Sequence, residues 1–462
     1  MLKKIVNNVV SSFSTASIFQ SLLIFSFIFT MSHYSDVEEY AYYRKVFYII
    51  DFSTVISLFG VNNLLLRKNF DYYYENITSV ISLFFAINII ATTIFAVLNS
   101  FSFGEFVLIS CFVFFNALYQ VIISLLYRSG RKQLYIIEVV TSFIVTIIGL
   151  VYFTKSGALT FKNVFVLRCL ALAIYIVPFF ISVRKNLSFV KLPTLRKITV
   201  LFKEVSPIGF GMLIGSCTLY IDKFLSTLLS SEQLAIYSNA SADIPFVSVA
   251  ITTMSACFIP LINKSFCEKD YSGSCRYISD LFIFGWYIGT IVFTILFINA
   301  EFVVGILYGN NYLASVPIFR VFCFSYLLKI VSYSHLIIAL NLERIIIKRM
   351  LIELFLQFSM SILLLKIFGT LGLALSVVLV LALWSVPYNV YFFKKTLNCN
   401  LHDIFKLKTM LLFAVKTFLP CFLLYHLLSI FNLGLWVYFV ATVALVFVID
   451  FSECKYILIR LK

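Results

Sequence analysis

Charged side chains set inside otherwise apolar runs are the residues of this sequence most able to do chemistry. Arg44 and Asp51 stand seven apart in one run, and Asp222 and Lys223 are adjacent in another, Tyr220-Ile221-Asp222-Lys223-Phe224. Guanidinium and ammonium groups grip phosphates and carboxylates, while buried carboxylates pair with such cations or carry an ion. Seven residues of helix advance about 10 Å and nearly two turns, so Arg44 and Asp51 share a face. Asp243 lies close to the place in its run that corresponds to Asp51, and Arg320 interrupts a further run near one end. Glu138 with Thr141 and Ser142 matches Glu353 with Gln357 and Ser361 as a pair of polar seams, for which interhelical hydrogen bonding is the alternative to an ion-coupling role. Ser14, Ser17 and Ser21 continue a hydroxyl stripe from Asn7 and Ser11; they can contact sugar hydroxyls, although helix-to-helix hydrogen bonds explain the stripe more simply. Arg168 and Lys416 also fall inside apolar runs, with no spacing that favours a ligand role over an anchoring one.

The elements that must hold these groups are membrane spans. Of the 462 residues, 61% are hydrophobic and only 12% charged, far from the composition of soluble domains. At about 20 apolar residues per crossing, the runs predict about fourteen transmembrane helices in an all-α polytopic protein. Spans are expected near 9–31, 43–66, 78–98, 106–127, 134–153 and 164–183, then 206–228, 236–262, 278–298, 317–340, 350–366 and 371–393, and finally 410–429 and 435–452. The net charge of +15 would suggest nucleic acid in a soluble protein. Here it sits in short breaks between runs, which is a topology signal. With the N-terminus cytoplasmic, 26 Lys and Arg residues fall in cytoplasmic segments and three on the opposite side, namely Lys155, Lys162 and Lys366. Both termini are therefore expected in the cytoplasm, and the first run is read as an uncleaved span.

Two segments repeat. Ala41 and Tyr43 before one span align with Ala235 and Tyr237 before another, and Pro178 and Pro387 precede Arg184-Lys185 and Lys394-Lys395 at similar distances. The expected organisation is a six-helix lobe over 1–183, a basic cytoplasmic linker over 184–205, a second six-helix lobe over 206–396, and two added helices over 397–462. The lobes would be related by a pseudo-twofold axis along the membrane normal.

The Asp222-Lys223 pair followed by Leu234-Ala235-Ile236-Tyr237, then Leu307-Tyr308-Gly309-Asn310-Asn311-Tyr312, then Phe368-Gly369-Thr370-Leu371-Gly372, resembles the O-antigen flippases, the Wzx type of polysaccharide biosynthesis protein. That family lies in the superfamily that also holds multidrug exporters of the MATE type and lipid II flippases. The family usually has Gly where Ala41 and Ala235 stand. The resemblance implies an undecaprenyl pyrophosphate-linked oligosaccharide as substrate, moved by alternating access between lobes in the bacterial inner membrane, with an O-antigen polymerase and a chain-length regulator as possible partners alongside membrane lipids. On this reading Arg44, Lys223 and Arg320, with Tyr220 and the serine stripe, contact substrate. Asp51, Asp222, Asp243, Glu138 and Glu353 pair with charges or couple ions. A MATE-type multidrug exporter is one alternative, and a membrane polymerase or lipid-dependent glycosyltransferase another. The sequence carries no nucleophile and base pair, phosphate-binding glycine loop or metal-ligand spacing, so neither catalytic residues nor a cofactor or metal is expected.

Overall fold

The computed structural model describes residues 19, 21–61, 70–128, 132–183, 194–242, 244–340, 342–431 and 434–450. Among these the chain is helical, with no strand. Eight helical stretches among the described residues are long and apolar enough to cross a membrane, and three shorter apolar helices accompany them. Within a bilayer the backbone must satisfy its own hydrogen bonds, which the α-helix does segment by segment.

Contacts divide the chain into two compact units, Ser11–Ala235 and Ile236–Lys462. In the first, α1 (Ser21–Tyr34) is followed by α2 (Val37–Leu58), α3 (Phe70–Asn99), α4 (Phe103–Arg128), α5 (Lys132–Lys155), α6 (Phe161–Val183) and α7 (Leu195–Ser226). The long helix α7, expected to begin a second lobe, packs on α2 and α3. A capping box starts α4: the Ser102 hydroxyl accepts from the Glu105 backbone N–H, and the Glu105 carboxylate accepts from the Ser102 backbone N–H at 3.0 Å. Exposed apolar side chains such as Ile90, Ile94, Ile144, Ile148 and Val151 line the outer faces, while Ser53, Thr54, Asn88 and Ser142 are buried. That inside-out distribution is the one a lipid solvent selects.

A close crossing fixes α7 against α2. Phe59 and Gly60 leave α2 with φ of 40° and 76°. A Cβ added at Gly209 would stand 2.6 Å from the Phe59 carbonyl oxygen and 2.7 Å from its ring. Only glycine permits this approach, and Phe59 completes it by stacking on Phe202 of α7 at 5.2 Å.

The second unit continues with α8 (Ser231–Ala240), shared at its start with the first, then α9 (Pro245–Cys267), α10 (Tyr271–Ile298), α11 (Ala300–Tyr308), α12 (Val316–Leu328), α13 (Tyr333–Ala339), α14 (Glu343–Val380), α15 (Val386–Leu397), α16 (Leu401–Ile404), α17 (Leu407–Ile430) and α18 (Leu435–Ile449). Two of the expected continuous spans are broken. Pro245 forces Ile244 into an extended conformation (ψ 112°), interrupting 236–262. The run over 317–340 stops at Lys329 and resumes at Tyr333. The breaks satisfy each other's neighbourhoods: the Ile244 N–H donates to the Tyr326 hydroxyl at 3.4 Å, and the Ser332 N–H donates to Ser255 Oγ at 3.1 Å. Gly285 and Gly289 of α10 let the backbone at Ile330 and Tyr326 approach closely. Within α14, Gly369 (φ 61°) turns the chain between the two expected spans.

Candidate functional site

In the first unit α2, α6 and α7 gather the charges. The Tyr220 hydroxyl of α7 donates to Asp51 Oδ2 of α2 at 3.4 Å. Phe52, the next residue on α2, meets the rings of Tyr220 and Phe224 edge-on at 5.9 and 5.2 Å. This aromatic contact and the Gly209 crossing hold the two helices in register around Asp51. Arg168, Arg44 and Lys223 are all near enough to act electrostatically on the Asp51 carboxylate.

Arg44 is only 3% exposed. Its Nη2 donates to the Tyr48 hydroxyl at 3.3 Å, and its guanidinium stands 5.9 Å from the Phe47 ring. Arg168 of α6, 8% exposed, reaches the same ring at 4.8 Å, with Phe112 at 4.9 Å, Phe27 at 5.2 Å and Phe165 at 6.0 Å. The electron-rich ring faces stabilise a cation where water is absent. Arg168 Nη1 has no hydrogen-bond partner among the described residues, and the residue lines a cavity of about 50 Å³ with Asn116, Tyr119 and Ser142. Two buried guanidiniums thus share one phenyl ring. Lys223 Nζ lies 3.9 Å from Asp222 Oδ1, donates to the Leu219 carbonyl at 2.9 Å and rests 5.5 Å from the Tyr220 ring. Asp222 is deeply buried while Lys223 is partly exposed. With that pair balanced, Arg44 and Arg168 outnumber Asp51 among the described residues, an excess of positive charge able to attract an anion.

Other expected residues fall elsewhere. Arg320 of α12 belongs to the second unit, where its Nε donates to the Phe297 carbonyl and its Nη2 sits 3.5 Å from Glu301, both side chains half-exposed. Ser21 on α1 is half-buried, whereas Ser14, Ser17 and Asp243 lie outside the described residues. The two polar seams differ. Glu353 faces Arg349 at 3.5 Å, Arg349 donates to Asn389 at 3.0 Å, and Gln357 donates to both Ser361 and Ser376 at 3.0 Å, closing an interhelical network. Glu138 is 5% exposed, and neither carboxylate oxygen has a hydrogen-bond partner among the described residues. Ser142 bonds instead to the Ala171 carbonyl. Arg168 is the residue that sequence reasoning undervalued: its position inside an apolar run was the signal, but its four rings come from four segments of the chain.

No family model and no curated protein sequence matches the chain. Solved structures do. The lipid II flippase MurJ in an inward closed conformation superposes with a TM-score of 0.71 at 15% identity, over 96% of this chain and 99% of that one. The fold is MurJ-like and MATE-like. An inward-facing multidrug resistance MATE transporter of the MOP superfamily follows with a TM-score of 0.59 at 12% identity, over 84% of this chain and 96% of that one. A MOP superfamily transporter from Pyrococcus furiosus, described as having a binding pocket of reversed polarity that suggests a different function, gives 0.55 at 10% identity, over 86% and 97%. These structural neighbours are flippases and transporters, and the shared architecture is that of a multi-pass membrane protein.

Proposed function

We propose that the protein is a flippase that moves an undecaprenyl pyrophosphate-linked O-antigen oligosaccharide from the cytoplasmic to the periplasmic leaflet of the bacterial inner membrane. The observation that carries this reading is the pair of buried guanidiniums, Arg44 and Arg168, set around the half-buried Asp51 among apolar helices, a net cationic cluster among the described residues. A pyrophosphate crossing hydrocarbon unaided faces a cost of tens of kcal/mol for its charge. Paired guanidiniums offset that cost with charge-assisted hydrogen bonds. On this reading Lys223, partly exposed beside Tyr220, also attracts the anion. Asp51 keeps the arginines from holding it permanently. Glu138, a buried acid with no cationic partner among the described residues, suits a proton carrier more than Glu353, which is held by Arg349.

The likeness of fold to MurJ supports lipid-linked cargo, while the likeness to MATE transporters keeps the exporter alternative in view; within this architecture, pocket polarity separates them. A cavity for cationic drugs calls for acidic excess, the opposite of this cluster. O-antigen polymerase and the chain-length regulator are the natural recipients of the flipped unit, and no chemical step is assigned to this chain.

The test is the leaflet location of the lipid-linked oligosaccharide in a strain lacking polymerase and ligase, with and without this gene. Confinement to the cytoplasmic leaflet only when the gene is absent supports flipping. Periplasmic exposure in both strains rejects it, and altered drug susceptibility of the deletion strain would then favour the exporter.

A further inference from the structure

A cavity of about 950 Å³ opens in the second unit, between the first turns of α10 and the segment from the end of α15 to the start of α17. This size is at the upper end for small-molecule pockets. Its lining mixes apolar and polar surface and includes three cations: Arg276 comes from α10, and Lys406 and Lys408 from the far wall, where His402 also lies. These belong to the basic segments that the charge count assigns to the cytoplasmic side. Asp280 and Asp403 are the opposing carboxylates. Asp403 is engaged by its own turn, where Oδ2 accepts from the Asn400 N–H at 3.1 Å.

Two further features point to an anion. The 24-residue helix α17 begins at the cavity with Lys406 as its N-cap and no side-chain cap. Its first N–H groups therefore present donors and the positive end of the helix dipole there. On the opposite wall Ser279 is 3% exposed, and its hydroxyl has no hydrogen-bond partner among the described residues. A buried hydroxyl without a partner costs about 1–3 kcal/mol, a penalty that a ligand oxygen would remove.

The geometry points to a binding site for a phosphate-bearing ligand, held by Arg276, Lys406, Lys408, the α17 N-terminus and the Ser279 hydroxyl. This inference is independent of the flippase reading, because the pocket and the Arg44–Arg168 cluster share no residue. The phosphate could belong to a membrane lipid headgroup or to a soluble molecule, and the experiment separates the two.

The full-length protein is purified, and its thermal unfolding is followed during titration with inorganic phosphate against chloride at matched ionic strength. In parallel, native mass spectrometry counts phosphatidylglycerol and phosphatidylcholine retained from bilayers of defined composition. Three variants are compared: the exposed double substitution Lys406→Gln/Lys408→Gln, Arg276→Gln on the other wall, and Ser279→Ala. The expected result is saturable binding by the wild type, weakened about tenfold or more by the double substitution and by Arg276→Gln. Phosphate stabilisation without phosphatidylglycerol retention identifies a soluble ligand. Selective retention of phosphatidylglycerol, lost in the variants, identifies a lipid. Absence of both in the wild type, or equal binding by wild type and both charge variants, overturns the proposal. Ser279→Ala is expected to weaken binding several-fold, and its failure to do so removes the hydroxyl from the site.

Discussion

Replacing Arg168 by Met separates a charge kept for transport from one kept for packing. A charged residue at the centre of a span costs about 2.5 to 3.5 kcal/mol on insertion scales. Against this stand the ring contacts at 4.8 to 6.0 Å, which together return about 2 kcal/mol for a desolvated cation, since the rings share one guanidinium and do not add independently. Nη1 gains nothing further from the described residues. With Arg44 remaining as a cation beside Asp51, removing the charge while keeping an apolar side chain of similar length should leave stability unchanged or raise it by up to about 1.5 kcal/mol on the balance of these two contributions. Export should fall to background, because Asp51 would then balance Arg44 and leave no net attraction for an anion. The assay pairs thermal unfolding of the purified variant with surface polysaccharide in a deletion strain complemented at matched protein level. Normal export by Arg168→Met refutes the functional reasoning. A loss of more than about 3 kcal/mol refutes the energetic part and makes Arg168 a structural keystone.

Lys223→Gln should abolish surface polysaccharide without lowering protein level, whereas Arg320→Gln should have a smaller effect, because Arg320 is already matched by Glu301; immunoblots beside polysaccharide gels decide both. Gly209→Leu should lower stability by about 1 to 3 kcal/mol or more, because its side chain would collide with Phe59, and the loss should appear as a reduced melting temperature in detergent. Gln357→Leu breaks the link to Ser361 and Ser376 and should cost about 0.6 to 1.7 kcal/mol while leaving export intact. Glu138→Gln should fold as well as wild type and lose any dependence of export on a proton gradient; retained dependence in inverted vesicles would exclude Glu138 as the carrier.

The helices were legible because lipid imposes long apolar runs, and charges inside those runs advertise themselves. Arg44, Asp51 and Lys223 could be picked out in that way. Their companions could not. The rings around Arg168 lie at Phe27, Phe47, Phe112 and Phe165 among 52 phenylalanines, and no local pattern marks which of them meet. The crossing of Gly60 with Gly209 could not be read either, because a glycine in an apolar run does not show which backbone it meets. The breaks at Ile244 and Lys329 were masked by hydrophobicity, although Pro245 and a lysine in mid-run were their signals. The Glu353 seam shows the opposite difficulty: the residues were found, but only the Arg349 contact reveals that the acid is already paired.

In the proposed mechanism the Arg44–Arg168 cluster carries a pyrophosphate-linked glycolipid across the bilayer. Its most direct test uses proteoliposomes holding the purified protein and a fluorescent undecaprenyl pyrophosphate-linked oligosaccharide, with a membrane-impermeant quencher added outside. Wild-type protein should make the labelled lipid accessible beyond the fraction initially in the outer leaflet, and Arg44→Gln and Arg168→Met should not. Accessibility that stays at the protein-free level with wild type, or that is the same for wild type and both variants, would contradict the account.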